Sequence, residues 1–359
     1  MKTSIPRRRA DFITDRRVTA ANDLTAPIGP SASARGRLAM IDTQDLLGGP
    51  QASGGDVLDC VVVGGGPAGL TAGMYLRRFH RTVRVVDAGS SRARLITRSH
   101  NVAGFPDGVA GGHLLEKMKQ HLRQVGGHLC YDTVEQIRIR DAGLFAVGLT
   151  HELLWARNLM LCTGVKDRLP ELPGLDGVAA AGLLRHCPVC DAFEFTGKRI
   201  GVLGNSKHGV KEAAFLRHFS KDTWFVEIDG RLDDLSADID LHRLRQLPGV
   251  ARHVAVNHDR QAFVTLDDGS GHRFDVLYAA LGVDPRTQLA RSLGVVLDEN
   301  GTIVTDAHGR TSVSNVYAAG DVVRALDQIA VALGHAAIAA TAIHNHLSQV
   351  HAGGSRPAR

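Results

Sequence analysis

Two cysteines three positions apart, in Cys187-Pro188-Val189-Cys190, are the side chains best placed to do chemistry in this chain. At that spacing two thiols can close a small disulfide ring or reopen to a dithiol, taking up and releasing two electrons. The attacking species is the thiolate, and a neighbouring positive charge favours it. His186, directly before the pair, could supply that charge, and Asp191, directly after it, could carry a proton. The same spacing also serves as half of a zinc site, which needs four ligands. No second C-x-x-C is present to complete one, so no metal is expected. Cys60 and Cys162 are of another kind: each sits in an apolar run that reads as a strand, where a thiol packs as a small hydrophobe, and Cys130 is expected to do the same. Five cysteines so unevenly spaced do not form a structural disulfide framework.

A glycine-rich turn, Gly64-Gly65-Gly66-Pro67-Ala68-Gly69, stands between a strand predicted over Val57 to Val63 and a helix predicted over Pro67 to His80. Gly64 makes the tight turn, Gly66 lets the backbone approach a pyrophosphate, and Gly69 lets helix and strand pack closely. The anion would sit on the helix N-terminus, where unpaired N–H groups point at it. A second strand, Val83 to Asp87, ends on Asp87, whose carboxylate can accept hydrogen bonds from a ribose. Glycines that serve a turn alone are the plainer alternative, but here strand, helix and acid are all in place. Near the C-terminus, Asn315 to Val322 reads as a short strand ending in Gly320-Asp321, followed by a small-residue helix from about Gln328 to His346. An acid there suits a polar chain such as a flavin's ribityl arm, and a capping aspartate is the alternative.

The first unit repeats. Arg199 to Leu203 reads as a strand, Gly204 to Gly209 as a turn, Val210 to Phe219 as a helix and Thr223 to Ile228 as a strand. Asp87 lies 23 positions after Gly64, and Glu227 lies 23 positions after Gly204. Two βαβ units in one chain predict an α/β fold with two Rossmann-like, three-layer nucleotide-binding domains. Between them lie an amphipathic helix (Leu114, Leu115, Met118, Leu122, Val125), a hairpin of Val134 to Ile139 with Leu144 to Leu149 turning at Asp141-Ala142-Gly143, and a linker at Leu169 to Gly174.

A chain of 359 residues with 44% hydrophobic and 22% charged residues suffices for two such domains. The formal charge of +5 resides in residues 1–40, where seven Arg and one Lys meet three Asp. The remainder is neutral in sum, so no nucleic-acid partner is expected. Residues 1–56 read as a disordered basic leader, with Met40 a plausible alternative start, and 351–359 as a flexible tail. No apolar block follows the early arginines as in a secretory signal, and no run approaches the roughly 20 residues of a membrane span. A cytoplasmic location follows as an expectation. His344 and His346 lie two apart on the last helix and point to different faces, so they and His335 are read as packing or surface residues rather than metal ligands.

Taken in order, Gly64 to Gly69, Thr163-Gly164, Cys187 to Asp191, Leu281-Gly282-Val283-Asp284-Pro285 and Tyr317 to Val322 resemble the low-molecular-weight thioredoxin reductases and related FAD-dependent pyridine nucleotide-disulfide oxidoreductases. The resemblance covers about residues 57–350. It implies an FAD domain built from 57–170 plus 284–350, with a nicotinamide-type domain, 171–283, inserted in it and carrying the cysteines. It implies that Cys190 faces the flavin, that Cys187 exchanges with the substrate disulfide, and that Asp191 protonates the leaving thiolate. Asn101 matches an FAD-contacting asparagine, and Gln328 and Ile329 match the segment whose backbone meets the flavin ring. A thioredoxin-like protein or a small dithiol as partner, and a homodimer, are further implications.

The second turn departs from that family. In Gly204-Asn205-Ser206-Lys207-His208-Gly209, Ser206 replaces the glycine that would admit a pyrophosphate. Where NADPH-binding members carry a His-Arg-Arg run for the 2′-phosphate, this chain has Glu227-Ile228-Asp229. Two acids repel a phosphate, whereas Glu227 could accept from the 2′-hydroxyl of NADH. Three readings follow: a thioredoxin-reductase-type disulfide oxidoreductase using NADH or NADPH, a gliotoxin-type dithiol oxidase that uses O2, and a non-enzymatic redox-sensing flavoprotein.

Overall fold

The computed structural model describes residues 56–140, 143–230 and 244–353, with side chains to residue 350. The leader but for Asp56, the hairpin tip at Asp141-Ala142, and the tail but for the helical backbone of 351–353 lie outside the described residues.

The first half of the chain runs β1 (Val57–Leu58), β2 (Cys60–Val63), α1 (Pro67–Arg78), β3 (Val83–Val86), α2 (Gly111–Gln124), β4 (His128–Cys130), β5 (Val134–Ile139), β6 (Phe145–Leu149), β7 (Leu153–Ala156), β8 (Leu159–Leu161) and β9 (Val165–Asp167). The next part holds α3 (Leu175–Ala180), β10 (Leu184–Arg185), α4 (Pro188–Asp191), β11 (Ile200–Gly204), α5 (Lys207–Leu216), β12 (Thr223–Glu227), β13 (Arg245–Val256), β14 (Ala262–Leu266), β15 (Gly271–Phe274) and β16 (Val276–Ala279). It closes with β17 (Val283–Pro285), α6 (Gln288–Ser292), β18 (Val316–Ala318) and α7 (Ile329–Gly353).

An all-parallel sheet of order β18-β8-β2-β3-β4 lies at the centre of the first module. Successive side chains of a strand point to opposite faces, and β2 shows what that does here. Cys60 and Val62 pack with Leu70, Leu76 and Leu122 of α1 and α2 and with Ala336 and Ile343 of α7. Val61 and Val63 pack on the other side with Phe145, Val147 and Leu154. Those last residues belong to a four-stranded sheet of order β1-β7-β6-β5 that covers the second face. Burial on both faces is why β2 reads as an unbroken apolar run.

That run is one strand in expectation and two in the structure. Asp59 interrupts it: its carboxylate accepts the Thr82 N–H at 2.9 Å, and the chain steps from the outer sheet, where Val57 faces Trp155, to the central one.

The second module repeats the plan with the order β10-β16-β11-β12-β13-β14-β15, parallel through β13 and antiparallel from β13 to β15. Ile200, Val202 and Phe225 pack against Val210, Ala213 and Leu216 of α5, while Leu203 and Val226 face the meander beyond. This module is inserted: its strands fall between β8 and β18, which are neighbours in the first sheet. The two passages between modules, β9 and β17, pair with each other antiparallel. Helix α5 starts at Lys207 rather than at Val210, because Ser206 takes the extended N-cap position. Among the described residues no helix is long and apolar enough to cross a membrane.

Candidate active site

A cavity of about 480 Å³ runs from the first glycine turn to the cysteine pair. Its walls include Gly64, Gly66, Asp87, Asn101, Gly320, Asp321, Gln328 and Ile329 together with Cys187, Cys190 and Asp191. These residues span more than two hundred positions, and the insertion of one module in the other is what gathers them.

The glycine end is a cradle that side chains would fill. Gly64 has φ +113°, and a Cβ there would meet the backbone oxygen of Cys162. A Cβ on Gly65 would run into the Asp87 carboxylate, and one on Gly66 would stand 3.2 Å from Ser91 Oγ. Gly69 does not line the cavity: it lies against the Gly64 carbonyl and lets α1 close on β2. Gly320, at φ +82°, would press a Cβ to 2.9 Å from the Ala68 methyl. Helix α1 opens here with Gly66 as N-cap, Pro67 at its first position and no side-chain cap, so its first N–H groups are presented to an anion. These features fit a dinucleotide whose pyrophosphate lies on the turn, and Asp87, which lines the cavity, stands where a ribose would follow.

At the other end Cys187 and Cys190 are joined as a disulfide, with Cys187 as N-cap of the short α4. The Gln328 amide reaches both sulfurs, Nε2 lying 3.3 Å from Cys187 Sγ and 3.4 Å from Cys190 Sγ. Asp191 accepts a 2.7 Å hydrogen bond from the Tyr278 hydroxyl and lies 3.4 Å from Arg185 Nε. Burial raises its pKa, and Tyr278 and Arg185 partly offset the rise. A carboxyl so poised holds a proton more readily than a surface aspartate and can pass it to a leaving sulfur. His186 differs from expectation. Burial, with Arg92 and Arg185 close by, lowers its pKa, so at neutral pH it does not carry the charge that would favour a thiolate.

The same cavity wall holds a cluster of which the sequence marked only Asp321. Arg92 binds Asp167 through Nε and Nη2 (3.0 and 2.7 Å) and reaches Asp321 at 3.3 Å and Asp327 at 3.4 Å. Three carboxylates around one guanidinium leave a local excess of negative charge. Burial first, and then the charge of Asp321, pushes the Asp327 carboxyl up to about 6. The folded state thus holds this proton more tightly than the unfolded chain, whose aspartates titrate near 4. Its stabilising effect is present below about pH 4 and is lost as pH rises through about 6. Asp327→Asn is expected to flatten that decline and raise the stability of the flavin-free protein at neutral pH by on the order of 1 kcal/mol. Thermal melts between pH 4 and 7 test this; equal pH dependence in both proteins would refute it.

The second turn is not part of the cavity wall. Gly204 and Gly209 keep the packing role of their counterparts, their Cα atoms close enough that a Cβ on either would come within 3.3 Å of the other and nearer still to Phe225 or the Ala280 carbonyl. Ser206 occupies the middle position with an extended backbone. Glu227 ends β12 and is buried, and Asn205 Nδ2 donates to Asp229 at 2.7 Å across the mouth of the turn.

A family model described as pyridine nucleotide-disulphide oxidoreductase matches residues 58–336. The chain belongs to this family. It is 26% identical over 312 residues to a thioredoxin reductase of Peptoclostridium acidaminophilum, covering 80% of this chain and 96% of the relative. Among solved structures it is similar to HlmI (30% identity, TM-score 0.72, 83% of this chain and 96% of the other) and to a thioredoxin reductase of Streptococcus pyogenes MGAS5005 (25% identity, TM-score 0.72, 82% and 99%). As a pyridine nucleotide-disulphide oxidoreductase the protein is a flavin-dependent enzyme acting on a dithiol/disulfide couple, and the family implies FAD and a nicotinamide nucleotide. When bound, FAD would supply two-electron storage. Arg92, Asp167, Asp327, Tyr278 and Gly65 are site residues that sequence reasoning missed; Gly65 alone had a signal, as an extra glycine inside the motif.

Proposed function

We propose that the protein passes two electrons between FAD, held in the cavity on Gly64, Gly66, Asp87, Asn101, Gly320, Asp321 and the backbone of Gln328 and Ile329, with Gly69 closing α1 on the turn, and a substrate disulfide met by Cys187. Cys190 faces the flavin and Asp191 is the acid. The FAD domain comprises 57–170 plus 284–350, and 171–283 is the nicotinamide-type domain. The substrate is a thioredoxin-like protein or a small disulfide, and the enzyme is a cytoplasmic homodimer. The observation that carries this reading is the single cavity with the glycine cradle at one end and the disulfide at the other.

For the electron donor, Gly204, Ser206, Gly209 and Glu227 favour NADH over NADPH. A 2′-phosphate beside Glu227 and Asp229 is repelled, by enough to weaken NADPH about tenfold or more at close range. The Asn205–Asp229 bond and the Ser206 side chain favour a second reading, a dithiol oxidase that draws electrons from its substrate and gives them to O2. An anaerobic titration with NADPH, NADH and a dithiol in turn, following the flavin's visible absorbance, decides. Bleaching by NADH before NADPH is expected of the reductase. Bleaching by dithiol alone, reversed by oxygen, overturns it in favour of the oxidase.

A further inference from the structure

We infer that Gln328 is a catalytic residue that stabilises the thiolate of Cys187 in the reduced pair, and that Asn101 is the positioning residue that aims its amide. The inference rests on the reading that Cys187 and Cys190 turn over, but not on which donor or substrate they serve.

The orientation of the amide follows from a backbone carbonyl. Val189 C=O can only accept, and Asn101 Nδ2 lies 3.4 Å from it, so the nitrogen of Asn101 faces that way. The same nitrogen lies 2.8 Å from Gln328, which must therefore present Oε1 to it. Ser99 Oγ donates to Asn101 Oδ1 at 2.7 Å and completes the chain. Gln328 is left with Nε2 turned to the sulfurs, 3.3 Å from Cys187 and 3.4 Å from Cys190. Its Oε1 lies 3.8 Å from Cys190 Sγ.

A disulfide sulfur is a weak acceptor, whereas a thiolate accepts a charge-assisted bond about twice as strong as a neutral one. The N–H groups of Gln328 therefore gain most once the S–S bond has opened, which is the condition for an interaction to assist the reaction rather than the resting state. The two ends of the amide also distinguish the sulfurs. Nε2 meets both, and Oε1 lies 3.8 Å from Cys190 Sγ, repelling a thiolate there and accepting from a thiol. One side chain thus favours Cys187 as thiolate and Cys190 as thiol.

That distribution suits disulfide reduction. The Cys187 thiolate bonds to one substrate sulfur, the substrate S–S bond breaks, and the other sulfur leaves and takes a proton from Asp191, which regains one from water. Cys190 then gives up its proton and attacks Cys187, reforming the pair's disulfide and releasing the first substrate sulfur, which takes that proton. The substrate gains two electrons and two protons, and the pair loses two electrons.

The test uses the FAD-loaded full chain with one thiol at a time. In a Cys190→Ser background, Gln328→Leu is expected to lower the thiolate fraction of Cys187 about tenfold at a given pH, read from thiolate absorbance or from alkylation rate against pH. Gln328→Glu lowers it further, since it sets a carboxylate against the thiolate. In a Cys187→Ser background the same changes move Cys190 less. Asn101→Ala gives part of the Cys187 effect and carries the test if Gln328→Leu does not fold; flavin absorbance verifies that each variant retains its cofactor. An unchanged Cys187 titration in Gln328→Leu and Asn101→Ala, or equal shifts on both thiols, overturns the inference. No electron donor or substrate enters these titrations, so a failure of the proposed function shows separately.

Discussion

Cys190→Ser is expected to bind FAD and to turn over on the order of 10³-fold more slowly than the native enzyme, or not at all. An alcohol cannot take part in the S–S bond that joins Cys187 to Cys190, so neither oxidation state of the pair can be reached. Cys187 remains competent for the first exchange, and with no partner to resolve it the variant accumulates a mixed disulfide with its substrate. Mass spectrometry without reductant should find this adduct on Cys190→Ser, and reductant should release it. Cys187→Ser loses turnover equally. Two of the three other cysteines make the control: burial raises the thiols of Cys60 and Cys162, the latter to about 12, and removes them from exchange at neutral pH. Cys162→Ser keeps its cysteine pair and should keep most of its turnover. Retained turnover in either active-pair variant would remove the pair from the mechanism, and with it the family's chemistry for this chain.

The parts of this molecule that sequence makes legible are those where one backbone constraint demands one residue type. Gly64 and Gly69 announce the first turn because no other residue fits their φ or their neighbours, and the unbroken burial of Cys60 to Val63 follows from a strand covered on both faces. Cys187 and Cys190 carry their own chemistry at a readable spacing. The Arg92 cluster does not: Asp167 and Asp327 lie 75 and 235 positions away, and nothing in either segment marks it as a partner. Topology alone joins them, through the return of β18 to the sheet that β2 began. Tyr278 was hidden for the opposite reason. It sits in an apolar strand, Val276–Ala279, where an aromatic reads as core, and only its hydroxyl reaches out to Asp191. The charge expected of His186 failed because burial acts on the group itself, which a neighbouring-residue argument leaves out.

Gly69→Ala is expected to lose FAD and to melt well below the native protein. The added Cβ meets the Gly64 carbonyl, oxygen and carbon alike, and these are backbone atoms of the turn itself, which cannot rotate aside as a side chain would. Either α1 lifts from β2, with an overpacking cost of about 1–3 kcal/mol, or the turn shifts and the cradle for the pyrophosphate is lost. Gly334→Ala is the matched comparison. It lies inside α7 with nothing within 4 Å of the new Cβ, so the substitution should stabilise by about 0.5–1 kcal/mol through helix propensity and leave FAD in place. The same added methyl thus acts with opposite sign at two glycines, and melting temperature with flavin content per chain reads both. If Gly69→Ala keeps its flavin and its melting temperature, the close approach of α1 to β2 is not what builds the cradle, and the turn must hold FAD by some other contact.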